Sequence, residues 1–464
     1  MAPYDLVIVG MGSAGVVAAE FAASLPLRVA AVERDRIGGD CLWTGCVPSK
    51  AMLAAAHTAH AIRTADRFGL TAAEPEIDTA RVFAHVREVQ DRIGSTDDSP
   101  ERFRKLGLDV LVGEAARLDG PHRLRVGEET IEARRVLLCP GSKPAIPPVD
   151  GLRALDPLTS ESIWTVERPP ASILLLGGGP IAVEMAQGFT RLGIDVTILE
   201  LADRLLAREE PELADRLTRR LLDEGVKIEL GVTIDRASRG DDGAKCLHAD
   251  GRRWSAQEIV IAAGRTPQAD DLGLDTVGLA AGPGGALPVD DRARTQHDWL
   301  YAVGDVTGGY QFTHAAAADA AAAVRDMFFP GRGRSATLVP WATFTDPELA
   351  RVGMTGDEAR AEHGEDDVEV HSIELDRSDR ARAERDTDGL LVAVTHRDVL
   401  IGAHVLAPHA GELIGELTLA VSQGMKLSAL ASIVHVYPTY STSIAQLAAE
   451  SAYERAGRYH WLVR

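Results

Sequence analysis

The chain has 464 residues, 45% of them hydrophobic, and a formal net charge of −20; this length predicts about three globular domains. The excess of acidic residues argues against a surface that binds nucleic acid or acidic membranes, and no apolar run approaches the ~20 residues that a membrane-spanning helix needs. Because an apolar strand follows Met1 almost at once, without a basic leader, we expect a cytoplasmic protein with no nucleic-acid or membrane partner.

The first predicted elements are a strand, a tight turn and a helix. An apolar run over residues 5–9 precedes three glycines, Gly10, Gly12 and Gly15, and an alanine-rich helical segment follows. The next strand ends at Glu33. The glycines have the G-x-G-x-x-G spacing that lets backbone amides approach a pyrophosphate at a helix N-terminus, and the acid stands where a ribose hydroxyl is expected. This unit predicts a bound dinucleotide.

Two cysteines five residues apart follow this unit. Cys41 and Cys46 precede a predicted helix with Pro48 in its first turn and Lys50 one turn inside. A thiolate at Cys46 would lie near the positive end of that helix, which lowers its pKa. Buried structural thiols or half of a zinc site are the alternatives, but zinc usually needs a second cysteine pair, and the other two cysteines lie far away and far apart. We therefore predict redox chemistry at the pair and no resident metal.

The strand-turn-helix pattern recurs in the middle of the chain. An apolar run over residues 172–176 leads to Gly177 and Gly179, and Ala182 opens a helical segment whose following strand ends at Glu200. The first glycine precedes the acid by 23 residues in both units, from 10 to 33 and from 177 to 200. Two such units in the same register predict two dinucleotides bound by one chain.

With these motifs the chain resembles the FAD-dependent pyridine nucleotide-disulfide oxidoreductases, the family of dihydrolipoamide dehydrogenase, glutathione reductase and mercuric reductase. The resemblance covers essentially the whole length. The first glycine unit matches the family's FAD fingerprint, residues 39–50 match its redox-active disulfide helix, and the second unit matches its nicotinamide-dinucleotide site. Further matches are the two strand-turns with Gly141 and Gly264, the FAD-ribityl motif with Gly304 and Asp305, and the start of the dimerisation domain at 344–355.

The resemblance implies an α/β fold with two Rossmann-like dinucleotide-binding domains and a C-terminal α+β dimerisation domain, assembled as a homodimer. The implied divisions are an FAD domain (1–149), an NAD(P) domain (150–270), a return segment of the FAD domain (271–338) and an interface domain (339–464). Cys139 is predicted to lie within the strand of the first strand-turn and to be a buried structural thiol. The acidic stretch 361–367 is predicted to be a surface loop.

The resemblance also implies the order of electron transfer. A nicotinamide would pass a hydride to one face of the flavin, and the disulfide on the opposite face would receive the electron pair. Cys46 would be the charge-transfer thiol near the flavin, and Cys41 the outer thiol that meets a small-molecule acceptor. In the family a lysine at the position of Lys50 pairs with a glutamate at the position of Glu184, close to the reactive ring of the flavin.

The second dinucleotide is expected to be NAD(H), with NADP(H) as the alternative. A carboxylate at Glu200 accepts hydrogen bonds from a ribose diol and repels a 2′-phosphate. Arg204 follows four residues later and tempers this preference, because NADPH enzymes usually carry arginines nearby.

The chain departs from the family near its C-terminus. Disulfide reductases carry His-x-His-Pro-Thr-x-x-Glu, where the second histidine is the acid–base for the outer thiol. Here Tyr437 stands at that histidine, Thr442 stands at the orienting glutamate, and His435 keeps the first histidine. A phenol has an unperturbed pKa of ~10 and is a poor base near neutral pH, so Tyr437 is left as a hydrogen-bond donor or soft-metal ligand and His435 as a partial substitute.

The acceptor therefore stays open at this point. The first expectation is a low-molecular-weight disulfide that is reduced without the usual acid–base pair. The alternative is a soft metal ion or a quinone. Mercuric reductase also has a tyrosine at the histidine position, although its C-terminal cysteine pair has no counterpart in the residues before Arg464. A weaker alternative is a redox sensor or a subunit of a larger complex.

Overall fold

The computed structural model describes residues 2–329, 333, 335 and 337–458, with side chains described as far as residue 454. The N-terminal part begins with an apolar strand that is buried along its whole length. Its elements are β1 (Leu6–Val9), α1 (Ser13–Ala23), β2 (Val29–Glu33), α2 (Gly39–Trp43), α3 (Cys46–Arg63), α4 (Thr79–Thr96), α5 (Pro100–Lys105), β3 (Asp109–Val112), β4 (Ala116–Leu118), β5 (Arg123–Val126), β6 (Glu129–Glu132), β7 (Val136–Leu138) and β8 (Ser142–Pro144).

The middle part repeats the strand-turn-helix pattern around a second parallel sheet. Its elements are β9 (Leu158–Thr159), β10 (Ser172–Leu176), α6 (Pro180–Arg191), β11 (Asp195–Leu199), α7 (Pro211–Asp223), β12 (Lys227–Glu229), β13 (Arg236–Arg239), β14 (Lys245–Ala249), β15 (Arg252–Ala256) and β16 (Glu258–Ile261). The sheet order is β12-β11-β10-β16-β9, and β13, β14 and β15 form a separate antiparallel sheet. Leu175 of β10 packs against the helices, whereas Leu174 faces the small sheet.

The chain then returns to the first sheet through β17 (Arg265–Pro267), β18 (Leu300–Ala302) and α8 (Thr313–Phe328). The first sheet is parallel, with the order β18-β7-β1-β2-β3. Ile8 packs on alanines of α1 and α8, and Val7 packs towards the antiparallel sheet of β4, β5 and β6. This sheet therefore has both faces covered, which explains why its strands read as continuous apolar runs.

The C-terminal part is an antiparallel sheet with helices. Its elements are β19 (Trp341–Thr343), β20 (Glu348–Gly353), α9 (Gly356–His363), β21 (Val368–Glu374), α10 (Asp379–Glu384), β22 (Leu390–His396), β23 (Val399–Ala407), α11 (Ala410–Ser422), α12 (Leu427–Leu430) and α13 (Thr442–Arg458), with the strand order β19-β20-β23-β22-β21. Short 3₁₀ helices complete the described chain: Ala65–Phe68, Arg153–Leu155, Ser162–Thr165, Leu274–Val277, Pro283–Gly285, Gly304–Thr307, Glu365–Asp367 and Leu375–Arg377.

The three parts confirm the predicted fold class, and two local predictions need correction. The stretch 361–367 lies at the surface, but it is not one loop. Thr355 and Glu358 form a reciprocal capping box that starts α9, and this helix continues to His363. A 3₁₀ helix follows. Cys139 is buried, as expected, but it follows β7 rather than lying in it.

Helix α6 joins all three parts. Gly188 allows a close approach to α3, since a Cβ at this position would lie 2.4 Å from the Sδ of Met52. On the same helix, Gln187 exchanges two hydrogen bonds with the backbone of Asp346, and Arg191 binds the carboxylate of Asp346 at 2.8 Å. Thus one helix packs on the cysteine-bearing helix and on the C-terminal part. Within the described residues, none of the helices has the length and apolar character needed to cross a membrane.

Candidate active site

The two predicted redox cysteines lie at a junction between two helices. Cys41 is in the five-residue helix α2, and Cys46 is the first residue of α3. Both are free thiols. The pKa of Cys46 is lowered to about 6, chiefly by a hydrogen bond from Cys41; burial opposes this change, and Thr313 and Lys50 contribute to it. The same hydrogen bond, together with burial, raises the pKa of Cys41. The pair therefore holds one thiolate and one thiol near neutral pH.

Thr313 is a partner of Cys46 that the sequence reasoning missed. Its Oγ1 lies 3.4 Å from the Sγ of Cys46, although the two residues are 267 positions apart. Thr313 is the first residue of α8, whose N-cap Phe312 provides no side-chain hydrogen bond. The N-termini of α3 and α8 thus meet at the same sulfur, and both helix dipoles favour its negative charge.

Lys50 and Glu184 form an ion pair beside the cysteines. The Nζ of Lys50 lies 2.8 Å from the Oε2 of Glu184, and the other carboxylate oxygen accepts the backbone N–H of Phe344 at 2.8 Å. Only 8% of the Glu184 side chain is exposed, against 38% for Lys50. Lys50 also lies over the ring of Phe344, 4.2 Å from its centroid. The pair predicted from the resemblance is therefore present, and the C-terminal part of the chain holds its carboxylate.

The first glycine unit forms a cradle suited to a pyrophosphate. Gly10 has φ +93°, and a Cβ there would lie 2.3 Å from the carbonyl oxygen of Cys139. A Cβ at Gly15 would lie 2.0 Å from the carbonyl of Gly10, so neither glycine tolerates a side chain. Gly12 caps α1 without any side-chain hydrogen bond, which leaves the amides at the helix start available to an anion. Glu33 is buried at the end of β2 and accepts the backbone N–H of Met11 at 2.7 Å.

Asp305, which the resemblance predicts to contact the FAD ribityl chain, lies in a cluster of charged groups that the sequence did not reveal. Asp305 accepts a hydrogen bond from Ser142 at 2.5 Å, and burial raises its pKa. Arg265, whose side chain is 10% exposed, donates to Ser142 at 2.7 Å and to Glu161 at 2.9 Å. Its guanidinium also lies 3.4 Å from the carboxylate of Asp40, the residue before Cys41.

The glycines of this region leave space on one side. A Cβ at Gly141 or Gly264 would meet no protein atom within 4 Å. At Gly304 a Cβ would lie 3.2 Å from Ala316 of α8. The open space beside Gly141 and Gly264, together with the cradle around Gly12, fits a dinucleotide cofactor at the edge of the first sheet where its strands end.

The second glycine unit has the same construction. Gly177 has φ +118°, and a Cβ there would lie 2.5 Å from the carbonyl of Ala262. Gly179 caps α6 without a side-chain hydrogen bond, and a Cβ on it would meet nothing within 4 Å. Ala182 is fully buried in the first turn of α6. The unit therefore provides a second open helix N-terminus for a pyrophosphate.

Glu200, which is predicted to bind a ribose, comes directly after β11. One of its carboxylate oxygens accepts the backbone N–H of Ala202 at 2.7 Å. Arg204 donates to the carbonyl oxygen of Ala207 at 2.6 Å, so its guanidinium is bound by its own loop. The residue predicted to bind a ribose is thus a carboxylate, and the nearby arginine is held within its own loop.

The C-terminal residues lie apart from the cysteines of their own chain. The hydroxyl of Tyr437 donates to Asp379 at 2.6 Å, which raises the pKa of the phenol, and 69% of Tyr437 is exposed. His435 has its Nε2 2.8 Å from the carboxylate of Glu416 and its Nδ1 3.1 Å from a carbonyl. Thr442 begins α13 and donates to the carbonyl of Thr439. None of the three hydrogen-bonds to Cys41 or Cys46 in the part of the chain that the structure describes.

Comparisons with known proteins agree with this arrangement. Residues 4–320 match the family described as pyridine nucleotide-disulphide oxidoreductase, and residues 339–448 match the dimerisation domain of that family. The chain is 35% identical to a mercuric reductase of Streptomyces lividans, over 97% of this chain and 96% of the relative. It is 33% identical to a dihydrolipoyl dehydrogenase of Halobacterium salinarum, over 96% and 95% of the two chains.

Solved structures show the same likeness. The Cu(II) complex of RclA from Escherichia coli, a HOCl-induced flavoprotein disulfide reductase, aligns with a TM-score of 0.85 and 29% identity, covering 97% of this chain and 99% of that one. LpdA from Mycobacterium tuberculosis aligns with a TM-score of 0.87 and 27% identity, covering 96% and 99%.

Proposed function

Because the chain belongs to the pyridine nucleotide-disulphide oxidoreductase family, whose members use FAD and NAD(P)H, we propose that it passes the electrons of NADH to the Cys41–Cys46 pair and from there to a thiophilic metal ion. NADH supplies two electrons and releases one proton. These electrons reduce one Hg(II) to the metal or two Cu(II) to Cu(I). The chain carries a dimerisation domain, and we propose that it works as a homodimer in which the C-terminal residues of one subunit approach the cysteines of the other.

One observation carries the choice of acceptor: the C-terminal motif has no free base. Tyr437 keeps its proton because its hydroxyl donates to Asp379. Both ring nitrogens of His435 face oxygen acceptors, so the ring offers no free nitrogen to a substrate. Reduction of a disulfide releases a thiolate that needs a proton, whereas reduction of a metal ion needs none. The site therefore favours a metal ion over the small disulfide that was the first expectation from sequence.

The residues around the cysteines suit a soft cation. Cys46 is a thiolate near neutral pH, and Cys41 keeps a proton until a metal ion displaces it. Thiolates are the ligands that soft metal ions prefer. The mercuric reductase relatives and the Cu(II) complex of RclA support this acceptor class.

The remaining site residues would hold the cofactors. The cradle at Gly10, Gly12 and Gly15 and the Asp305 cluster would bind FAD, and the unit at Gly177 and Gly179 would bind NADH. FAD, when bound, relays the electron pair from the nicotinamide to the cysteine pair. The ammonium of Lys50, held by Glu184, supplies positive charge beside the flavin site. Cys46 provides the thiolate next to that site, and Cys41 meets the acceptor.

A small disulfide remains a second candidate, supported by the dihydrolipoyl dehydrogenase relatives. The test compares NADH oxidation by the FAD-loaded protein with chelate-buffered Hg(II) or Cu(II), lipoamide, glutathione disulfide and a quinone. We expect metal-ion reduction to dominate, and Cys41→Ser and Cys46→Ser to abolish it. Cys246→Ser is the matched control, since Cys246 is buried between β13 and β15.

A double variant separates the two candidates. Tyr437→His with Thr442→Glu restores the family pattern. It should raise disulfide turnover, since a missing acid–base group costs ~10²–10⁴ in rate, and leave metal-ion reduction nearly unchanged. Fast reduction of a small disulfide by the unaltered enzyme, with slow reduction of both metal ions, would reject the metal-ion proposal.

A further inference from the structure

Side chains of distant elements bind the last carbonyls of the short helix that carries Cys41. Helix α2 stops at Trp43, and α3 begins three residues later at Cys46. The last carbonyls of such a helix have no intrahelical donor. Side chains from distant elements supply the missing donors here. The amide of Gln90, on α4, donates to the carbonyl of Trp43 at 2.6 Å, and the indole of Trp164 donates to the carbonyl of Thr44 at 2.9 Å.

The Thr44 carbonyl belongs to the peptide that joins the two cysteine-bearing helices. Gly45 caps α3 with φ −123° and ψ −101°, outside the helical and extended regions. A Cβ on Gly45 would come within 3.1 Å of the carbonyl oxygen of Asp40, so the turn is closely packed. A donor that fixes the Thr44–Gly45 peptide therefore also fixes how the thiols of Cys41 and Cys46 face each other.

The donor of this hydrogen bond is anchored to the second sheet. Trp164 is 4% exposed, and its ring lies 5.9 Å from that of Phe83. Its indole N–H is shared with the carbonyl of Ser160 at 2.9 Å. The strand just before Ser160, β9, pairs in parallel with β16 of the nicotinamide-site sheet. The loop between the cysteines is thus tied to a part of the chain that contains neither cysteine.

A second set of contacts links the segment after β9 to Asp40, the residue before Cys41. Glu161 accepts from Arg265 at 2.9 Å, and the guanidinium of Arg265 lies 3.4 Å from the carboxylate of Asp40. The negative charge of Asp40 raises the pKa of both cysteines. Arg265 offsets that charge, since a positive charge 3.4 Å from the carboxylate partly cancels the field of the carboxylate at the cysteines.

We propose that Trp164 and Arg265 are positioning residues for the redox pair: they hold loop 40–45 in the conformation in which Cys41 donates its hydrogen bond to Cys46. Neither residue touches the acceptor. Both act through the loop, Trp164 on its peptide geometry and Arg265 on the charge beside it. The inference rests on the proposed redox role of the pair.

The test measures thiolate formation at Cys46 without turnover. The FAD-loaded protein is reduced with a phosphine and alkylated with iodoacetamide over a range of pH, and tandem mass spectrometry assigns the modified cysteine. Only the thiolate reacts. Trp164→Phe keeps the buried ring and removes the N–H. Trp299→Phe is the matched control, because Trp299 is also buried but lies in the core of the first part.

In Trp164→Phe the midpoint pH for alkylation of Cys46 should rise from about 6 by about one pH unit or more, since the hydrogen bond to a charged group weakens. Arg265→Gln should raise it as well, and Arg265→Lys should raise it less. Trp299→Phe should leave it unchanged.

An unchanged midpoint in Trp164→Phe, or an equal rise in Trp299→Phe, overturns the proposal. If Trp164→Phe does not fold, Arg265→Gln decides by the same criterion. The assay needs neither NADH nor an acceptor, so the inference and the proposed function can fail separately.

Discussion

Removal of the Thr313 hydroxyl tests the origin of the reactive thiolate. Thr313→Val keeps the shape of the side chain and deletes the Oγ1 that lies 3.4 Å from the Sγ of Cys46. A hydrogen bond to a charged group contributes ~1.5–3 kcal/mol, and solvent reaches Cys46, so we take the lower end. At 1.36 kcal/mol for each pKa unit, the pKa of Cys46 should rise from about 6 to about 7.

The direction of the pKa change follows from the protonation state of Cys46 that the hydroxyl stabilises. A thiolate can only accept, so in the ionised form the Thr313 hydroxyl donates to Cys46; the hydroxyl lowers the pKa of Cys46, and its loss moves the titration to higher pH. The assay is a pH titration of the long-wavelength flavin–thiolate absorbance of the two-electron-reduced protein, which Cys46→Ser should abolish while FAD stays bound. Thr313→Ser retains the hydroxyl and should titrate like the unaltered protein. A Thr313→Val midpoint equal to that of Thr313→Ser would refute the reasoning.

Three further predictions concern the cofactor, the ion pair and the assembly. The kcat/KM for NADH should exceed that for NADPH by at least ~10-fold, equivalent to ~1.4 kcal/mol, because Glu200 faces the ribose end while Arg204 is bound by its own loop; a ratio in favour of NADPH would contradict this. Glu184→Gln should lower the free energy of unfolding by about 1–2 kcal/mol. Loss of one partner of a fully buried pair costs ~3–5 kcal/mol, but here 38% of the Lys50 side chain is exposed. Thermal unfolding of the FAD-loaded protein measures the loss, and an unchanged midpoint would count against a stabilising ion pair. Sedimentation should give twice the mass of one chain, whereas a fully active monomer would exclude a shared site.

Local signals in the sequence were sufficient for the glycine units. Gly10 and Gly177 adopt positive φ and pack against backbone carbonyls, which only glycine tolerates, so their spacing carries structural information on its own. Glu33 is the last residue of the next strand in the first unit, and Glu200 comes directly after the corresponding strand in the second unit. A local signal was also missed: Thr355 and Glu358 form a capping box that starts α9, in front of a stretch predicted to be a loop.

The substituted C-terminal motif shows where sequence alone stops. The exchange of histidine for Tyr437 is plain in the sequence, but the partners of the side chains are not. Asp379 lies 58 positions before Tyr437, and Glu416 lies 19 positions before His435. These partners decide that neither group is a free base, and they come from helices α10 and α11 of the same domain.

By itself the sequence determined the two glycine-rich strand-turn-helix units and the cysteine pair, because each depends on residues within about one such unit, whereas the division of the chain was predicted from the resemblance to a family. Only the tertiary structure decided what surrounds the cysteines. Thr313, Trp164 and Arg265 reach the cysteine loop from 267, 120 and 225 positions away from Cys46, Thr44 and Asp40. No spacing rule connects residues so far apart, since their contact depends on how the sheets and α6 pack against each other. The chemistry of the thiols is therefore set by packing, and their presence by the local motif.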